Sequence, residues 1–318
     1  MSKALFLLQR RLEPLTGLAQ ATTQVRRRVA DLEIAQLERC QRGTPHQSVA
    51  SSSGSVATNA LTTDSNAMHF NRFRAASAHL LFSAAIAASC AALVFSLWYP
   101  GPLAGASGVV EIFLLLLAVD VCLGPLITLI VFNPKKKELN RDLTLVVIVQ
   151  LVALLYGMST VFVARPVYIV FNADRFDLIY ATDLGKEKLE KVTAAQYKKL
   201  PIFGPVVISA RRPTDTKSRN EILFSALAGG DDLPQLPQYY APYSDAQADV
   251  VKRLESVETL VRNNQSKAAE ISRIVSRHVL NANDIGYLPL KGKTKDAVVL
   301  LTRKGGALLE IVDLKPWP

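Results

Sequence analysis

The chain has 318 residues and a formal net charge of +10, yet only 20% of its residues are charged. No basic helix interleaved with aromatics accompanies that excess, which argues against a nucleic-acid footprint. Three cysteines, none beyond Cys122, leave nothing from which to build a disulfide scaffold or a CxxC metal site in the C-terminal half.

Residues 1–74 read as a cytoplasmic, largely disordered region. Leu5–Leu12 and Val29–Leu37 fit short amphipathic helices, and Pro14 stops the first. Gln41–Ala67 is rich in Ser, Thr, Gly and Asn and reads as disordered. Met68 stands just before the basic flank HFNRFR, so residues 1–67 read as a dispensable extension or an over-called start. They do not form a secretory signal peptide, because the first apolar run is too short and no cleavage-like end follows it.

Residues 75–164 hold three long apolar runs, at 75–98, 108–132 and 143–164. Each exceeds the roughly 20 residues needed to cross about 30 Å of hydrocarbon. The spacing predicts a three-helix transmembrane domain. Arg72 and Arg74 precede the first run, and Lys135, Lys136, Lys137 and Arg141 separate the second from the third. The connection YPGPLAGASG between the first two carries no charge. The positive-inside rule then places the N-terminus in the cytoplasm and the C-terminal domain in the periplasm of a bacterial inner membrane. Trp98 and Tyr99 stand where an aromatic belt belongs. Cys90 and Cys122, inside the runs, read as small buried apolar side chains.

Two acids interrupt the second run. Glu111 lies near its outer end, and Asp120 is about 18 Å deeper than its start by helix rise. Nine residues at about 100° each put the two on opposite faces, so they cannot act as a dyad. An ionisable group at mid-bilayer depth is a functional candidate by default. Asp120 reads either as a carboxyl satisfied inside the bundle, by Ser83, Ser89 or Gln150, or as a grip on a partner's transmembrane segment. One turn later, Gly124-Pro125 predicts a kink, since Pro125 removes the hydrogen bond to the Val121 carbonyl. The kink either packs the three helices together or lets another helix approach closely.

Residues 165–318 predict an α+β periplasmic domain. Arg165 and Pro166 mark the exit from the third run. Val167–Phe171, Phe176–Tyr180 and Val206–Ala210 read as strands. Thr193–Leu200 and Ser218–Leu227 read as helices, and the proline-rich Asp231–Tyr243 as extended. Ser244–Asn263 reads as one helix capped by Ser244, and Lys267–Leu280 as another, with Ile271, Ile274 and Val275 on one side. Ala297–Thr302, a Gly305-Gly306 turn and Ala307–Leu314 make a terminal hairpin.

Catalytic constellations are missing. His46, His69, His79 and His278 lie on unrelated segments, and no HExxH, Walker or GxSxG motif occurs. Asp174 and Arg175 read as a turn and a salt bridge. The chain is expected to be no enzyme and to need no cofactor or metal.

Three blocks carry a resemblance: GVVEIFLLLLAVDVCLGPLITLIVFNPKKK at 108–137, LLYGMSTVFVARPVYIVFNADRF at 154–176, and YLPLKGKTKDAVVLLTRKGGALLEIVDLKPW at 287–317. Together they resemble the TfpX/TfpZ family of type IV pilin accessory proteins. The resemblance implies an inner-membrane protein that supports the stability or assembly of a particular pilin, acting as a chaperone in the lipid bilayer. It carries over Glu111, Asp120, Gly124, Pro125, Arg165, Pro166, Asp174, Arg175, Phe176 and Trp317 as motif positions and candidate partner-binding residues. The bundle would shelter the pilin helix near Asp120 and Pro125, and the C-terminal domain would touch the pilin head. The rival reading is a membrane-anchored periplasmic sensor or scaffold unrelated to pili.

Overall fold

The computed structural model of the chain describes residues 55–133, 136–278 and 280–317. The contacts below lie within one compact unit, Asp64–Pro318. The short helices expected before Gln41 lie outside the described residues.

Three helices are long and apolar enough to cross a membrane: Arg72–Trp98, Val109–Val131 and Leu139–Val163. The first is continuous from Ser55 to Leu93 and ends in a π-turn, Val94–Trp98. Its backbone is therefore already helical in the Ser55–Ala67 stretch that reads as disordered. Once a long apolar helix is nucleated, each added residue gains a hydrogen bond, so helix extends through polar sequence. Cys122 is exposed on the second helix and Cys90 half-buried on the first, so neither fills the buried position expected of it.

The three helices meet at their upper end. Val94, Tyr99, Val109, Phe113 and Val161 form one small core, with Phe95 edge-on to Phe113 at 5.2 Å. Tyr99, 1% exposed, donates its hydroxyl to the Val161 carbonyl at 2.9 Å and joins the first helix to the third. Elsewhere the bundle is thin, and Ile112, Leu115, Leu145, Val152 and Leu155 stay exposed.

After the third helix comes a mixed eight-stranded sheet in the order β4-β3-β1-β2-β6-β7-β8, with β5 beside β6. The strands are β1 Pro166–Asn172, β2 Arg175–Tyr180, β3 Val206–Ala210, β4 Tyr240–Pro242, β5 Glu255–Ser256, β6 Ile285–Lys291, β7 Ala297–Thr302 and β8 Leu308–Val312. β1 and β2 form a hairpin, β3 runs parallel to β1, β6 parallel to β2, and β6, β7 and β8 alternate antiparallel. Strand period 2 divides the side chains between the faces. Ile169, Phe171, Phe176, Leu178, Leu288, Leu290, Val299 and Leu301 share one core. On the other face Val170, Ile179 and Ile208 pack at one end, and Ile285, Tyr287, Val298 and Leu300 at the other.

The uncharged connection between the first two helices is part of this core. It forms a short helix, Leu103–Ser107, whose Leu103 and Ala106 are 2% exposed and pack on the sheet. The Ala106 carbonyl accepts from the Lys293 and Thr294 amides at 3.0 Å. Gly292 leaves the room for this contact, since a Cβ there would stand 2.8 Å from the Ala106 oxygen. Burying Leu103 alone contributes about 1.5–3 kcal/mol. The apolar bundle and the sheet domain are thereby joined twice, through this plug and through the Val163–Pro166 exit.

The expected helix Ser244–Asn263 is broken in two. Gln247–Arg253 and Val257–Asn263 are separate, because Glu255–Ser256 leaves the helical path to pair with Gly286 and Tyr287 of β6. Ser256, not Ser244, is the cap, accepting from the Thr259 amide. The proline-rich Asp231–Tyr243 is extended only at β4; two 3₁₀ turns precede it. Thr193–Leu200 holds one 3₁₀ turn, Ala195–Tyr197, while Lys186–Glu190 forms a helix that periodicity does not reveal. The helix Thr216–Leu227, capped by Asp215, and the buried face of Ala268–Arg277 match expectation. So does the terminal hairpin, with Gly305 and Gly306 at φ +95° and +65°.

Candidate functional site

The second helix departs from α geometry at the candidate acid. Val109–Ala118 is α-helical, Val119–Leu123 is a π-turn, and Gly124–Val131 resumes the α-helix. A π-turn pairs each carbonyl with the amide five residues on. For Asp120 that residue is Pro125, which has no N–H. The Asp120 carbonyl is therefore orphaned within its own helix. Gln150, from the third helix, fills the gap: its Nε2 donates to the Asp120 main-chain oxygen at 3.0 Å.

That bond requires Gly124. A Cβ on Gly124 would overlap the Gln150 side-chain amide. Nearer the upper end, Gly157 stands close against Leu116, so small residues set the approach of the second and third helices at both levels. The kink predicted at Gly124-Pro125 is thus realised as a π-turn that receives a neighbour's side chain.

The same turn aligns the inner face of the helix. A plain α-helix drifts by about 40° over four residues, and the wider π-turn takes up much of that drift. Asp120, Gly124 and Thr128 are consecutively buried, with Thr128 only 2% exposed. From the first helix, His79 reaches Thr128, Nδ1 to Oγ1 at 2.6 Å. Motif reading misses this pair, because it sets His79 aside as one of four scattered histidines. The available signal is a histidine inside an apolar run, where polar side chains seek each other.

Between these polar points lies a narrow cleft with about 40 Å³ of open space, lined by His79, Ser83, Ile86, Asp120, Gln150 and Leu151 among others. That volume holds one water or one side-chain tip. Asp120 Oδ2 is buried there with no hydrogen-bond partner, and so is Gln150 Oε1. Of the three expected partners of Asp120, Ser89 instead bonds its own helix at Ala85, Ser83 only lines the cleft, and Gln150 serves the main chain. A carboxyl oxygen without a partner in an apolar cleft is costly, and it offers a strong acceptor or donor to whatever enters.

The other motif residues are scattered. Glu111 is exposed in the first turn of the second helix, remote from the cleft lining. Arg165, 6% exposed, donates Nε and Nη2 to the Pro201 carbonyl at 3.1 and 2.7 Å, and Nη1 to the Phe162 carbonyl at 2.9 Å. Pro166 opens β1 opposite Tyr180. Ala173, at φ +61°, and Asp174 make the β1–β2 turn, and Arg175 opens β2. Arg175 pairs with Asp174 at 3.9 Å and Asp177 at 3.4 Å, the turn and ion pair expected there. Phe176 is fully buried against Phe171 and Tyr243, a core position that no partner can reach without unfolding the sheet. Trp317, 44% exposed, donates its indole N–H to Asp296 at 3.1 Å. Asp120, Gly124 and Pro125 come together at the π-turn, whereas Asp174, Arg175 and Phe176 share the β1–β2 hairpin away from it. Among the described residues no cluster of three or more metal-ligating side chains occurs.

Asp177, in β2, is 7% exposed. Burial raises its carboxyl above the usual carboxylate range, and the nearby Arg175 and Lys291 only partly counter this. Its environment is that of a sheet interior beside an ion pair.

The profile of the fimbrial assembly protein FimB family matches residues 69–108, the first apolar helix and the plug. A fimbrial assembly protein of serogroup I from Dichelobacter nodosus is 30% identical over 229 residues, covering 71% of this chain and 88% of the relative. The serogroup E1 protein of the same organism is 29% identical over the same shares. That of serogroups C1 and C2 is 40% identical over 113 residues, covering 35% of this chain and 86% of the relative. No solved structure matches significantly. By its identity to the serogroup I protein over most of that protein's length, and by the family match on the first apolar helix and plug, the chain belongs to the FimB family of fimbrial assembly proteins.

Proposed function

We propose that this protein spans the bacterial inner membrane three times and acts, without catalysis, as a TfpX/TfpZ-type accessory protein for one type IV pilin. Its client before assembly is a periplasmic head on a single apolar helix in the same membrane. The bundle shelters that helix at the Asp120 cleft, and the sheet domain meets the head.

The observation that carries this reading is the unpartnered Asp120 Oδ2 in an apolar cleft. A buried carboxyl left open in a closed bundle costs stability and is retained where a partner completes it. The cleft is too small for a helix but admits one polar side chain of a helix lying along the bundle. The names of the relatives place them in fimbrial assembly, and a pilin is the apolar-helix component such a site suits. The basic connection with Lys136 and Arg141, against the uncharged plug, supports a periplasmic sheet domain.

The test is an immunoblot of total pilin together with a count of surface pili in a strain lacking this gene. A fall in total pilin supports sheltering of the subunit. Unchanged pilin and unchanged pili contradict the reading.

A further inference from the structure

The loop Pro201–Pro205 carries two large apolar side chains that the fold does not cover. Ile202 is 57% exposed and Phe203 65% exposed. They are held out stiffly. Pro201 and Pro205 fix the backbone on either side, and Gly204 turns it at φ +53°, where a side chain would be strained.

Both ends of the tip are tied to the ends of bundle helices. The Gly204 amide donates to the carbonyl of Leu97, in the last turn of the first helix, at 2.6 Å. The Pro201 carbonyl accepts two bonds from Arg165, which directly follows the third helix. The Arg165 guanidinium lies 3.8 Å over the Phe162 ring, and Phe162 meets Trp98 at 5.0 Å. The tip therefore sits at the level of Trp98, Tyr99 and Phe162, the aromatic belt of the bundle. Just before it, Lys198 and Lys199 are both exposed.

An apolar tip flanked by two lysines at an aromatic belt matches the chemistry of a bilayer edge, with acyl chain ends below and anionic headgroups above. We infer that Ile202 and Phe203 form a lipid-embedded foot, by which the sheet domain rests in the outer leaflet while Lys198 and Lys199 meet anionic headgroups. The foot tethers one end of the sheet: β1 starts beside it at Pro166 and carries the Asn172 turn about 20 Å away along the strand. The inference rests on the reading of the bundle as membrane-spanning.

The test uses the full chain with Cys40, Cys90 and Cys122 replaced by serine, reconstituted in vesicles of phosphatidylethanolamine and phosphatidylglycerol. A nitroxide is attached in turn at Phe203→Cys, at Leu155→Cys on the exposed side of the third helix, and at Leu223→Cys beside the β1–β2 turn. Oxygen and a water-soluble nickel chelate report depth. The foot predicts that the label at 203 favours oxygen over nickel several-fold more than the label at 223, at a shallower depth than 155. A label at 203 as nickel-accessible as at 223 overturns the foot while leaving the spans intact. A label at 203 shielded from both reagents also overturns it, since protein rather than lipid would then cover the tip. An aqueous label at 155 overturns the spanning reading, and the foot with it.

Discussion

Gly124 and Gln150 meet so closely that the absence of one side chain creates the seat of the other. The glycine lets the Gln150 amide cross from the third helix to the Asp120 carbonyl, which Pro125 leaves without a donor. Gly124→Ala gains about 1 kcal/mol of helix propensity but strands a buried carbonyl at about 1–3 kcal/mol. The net effect is a loss, and Gly124→Leu, which also separates the helices, loses more. Thermal unfolding in detergent measures both. Because Gln150→Leu strands the same carbonyl, Gly124→Ala combined with Gln150→Leu is expected to cost clearly less than the sum of the two.

Substitution at Asp120 is expected to separate stability from function. Its Oδ2 has no partner in the bundle, so Asp120→Leu removes an uncompensated polar group and leaves the melting temperature unchanged or higher. The same variant is expected to lower total pilin in cells at normal levels of the accessory protein. An immunoblot of both proteins in one strain checks this, and Asp120→Asn, which keeps hydrogen-bonding capacity, should fall between.

The bundle was legible in the sequence because a membrane demands length and apolarity, and the three helices follow that demand within a few residues. Asp120 and Gly124-Pro125 stood out for the same reason. The π-turn did not, since apolar patterning over a single span cannot distinguish four from five residues per hydrogen bond. β6 escaped a strand reading because Pro289 interrupts it. The structure accommodates that proline where β6 passes from pairing with β5 to pairing with β2. The break at Leu254 follows from a tertiary pairing of Glu255 and Ser256 that no local propensity encodes. The uncharged connection was readable as a loop but not as a plug, because only the folded sheet supplies the pocket for Leu103.

Arg165 follows the end of the third apolar helix and also ties it to the Pro201–Pro205 loop. Arg165→Ala removes three charge-assisted bonds to carbonyls, each worth about 1.5–3 kcal/mol. Arg165→Lys keeps the charge but not the fork that reaches Pro201 and Phe162 together. Both variants are expected to free the Pro201–Pro205 loop and to speed tryptic cleavage after Lys198 and Lys199, with Ala the faster. Limited proteolysis followed by mass spectrometry reads the site directly.

Asp177 gives a pH dependence with a definite sign. Burial raises its folded carboxyl above the usual range, so the native state binds its proton more tightly than the unfolded state does. Its contribution is most favourable below the ordinary carboxylate range and is lost as pH rises through the raised value. Asp177→Asn mimics the protonated form, so its stability relative to the native sequence is expected to increase from acid to neutral pH. Paired melting curves at pH 4, 5, 6 and 7 measure the trend, and a gap that closes toward neutrality would show that the Arg175 pair outweighs burial.

The central claim is that the Asp120 cleft receives the apolar helix of a pilin. Leu151 lines that cleft and is still 42% exposed, whereas Leu155 is exposed on the same helix outside the lining. A photo-crosslinking amino acid placed at each position, in cells making the client pilin, tests the claim most directly. The account predicts a pilin adduct from position 151, little from 155, and loss of the 151 adduct in Asp120→Leu. Normal pili with no adduct from 151, or equal adducts from both positions regardless of Asp120, would contradict it.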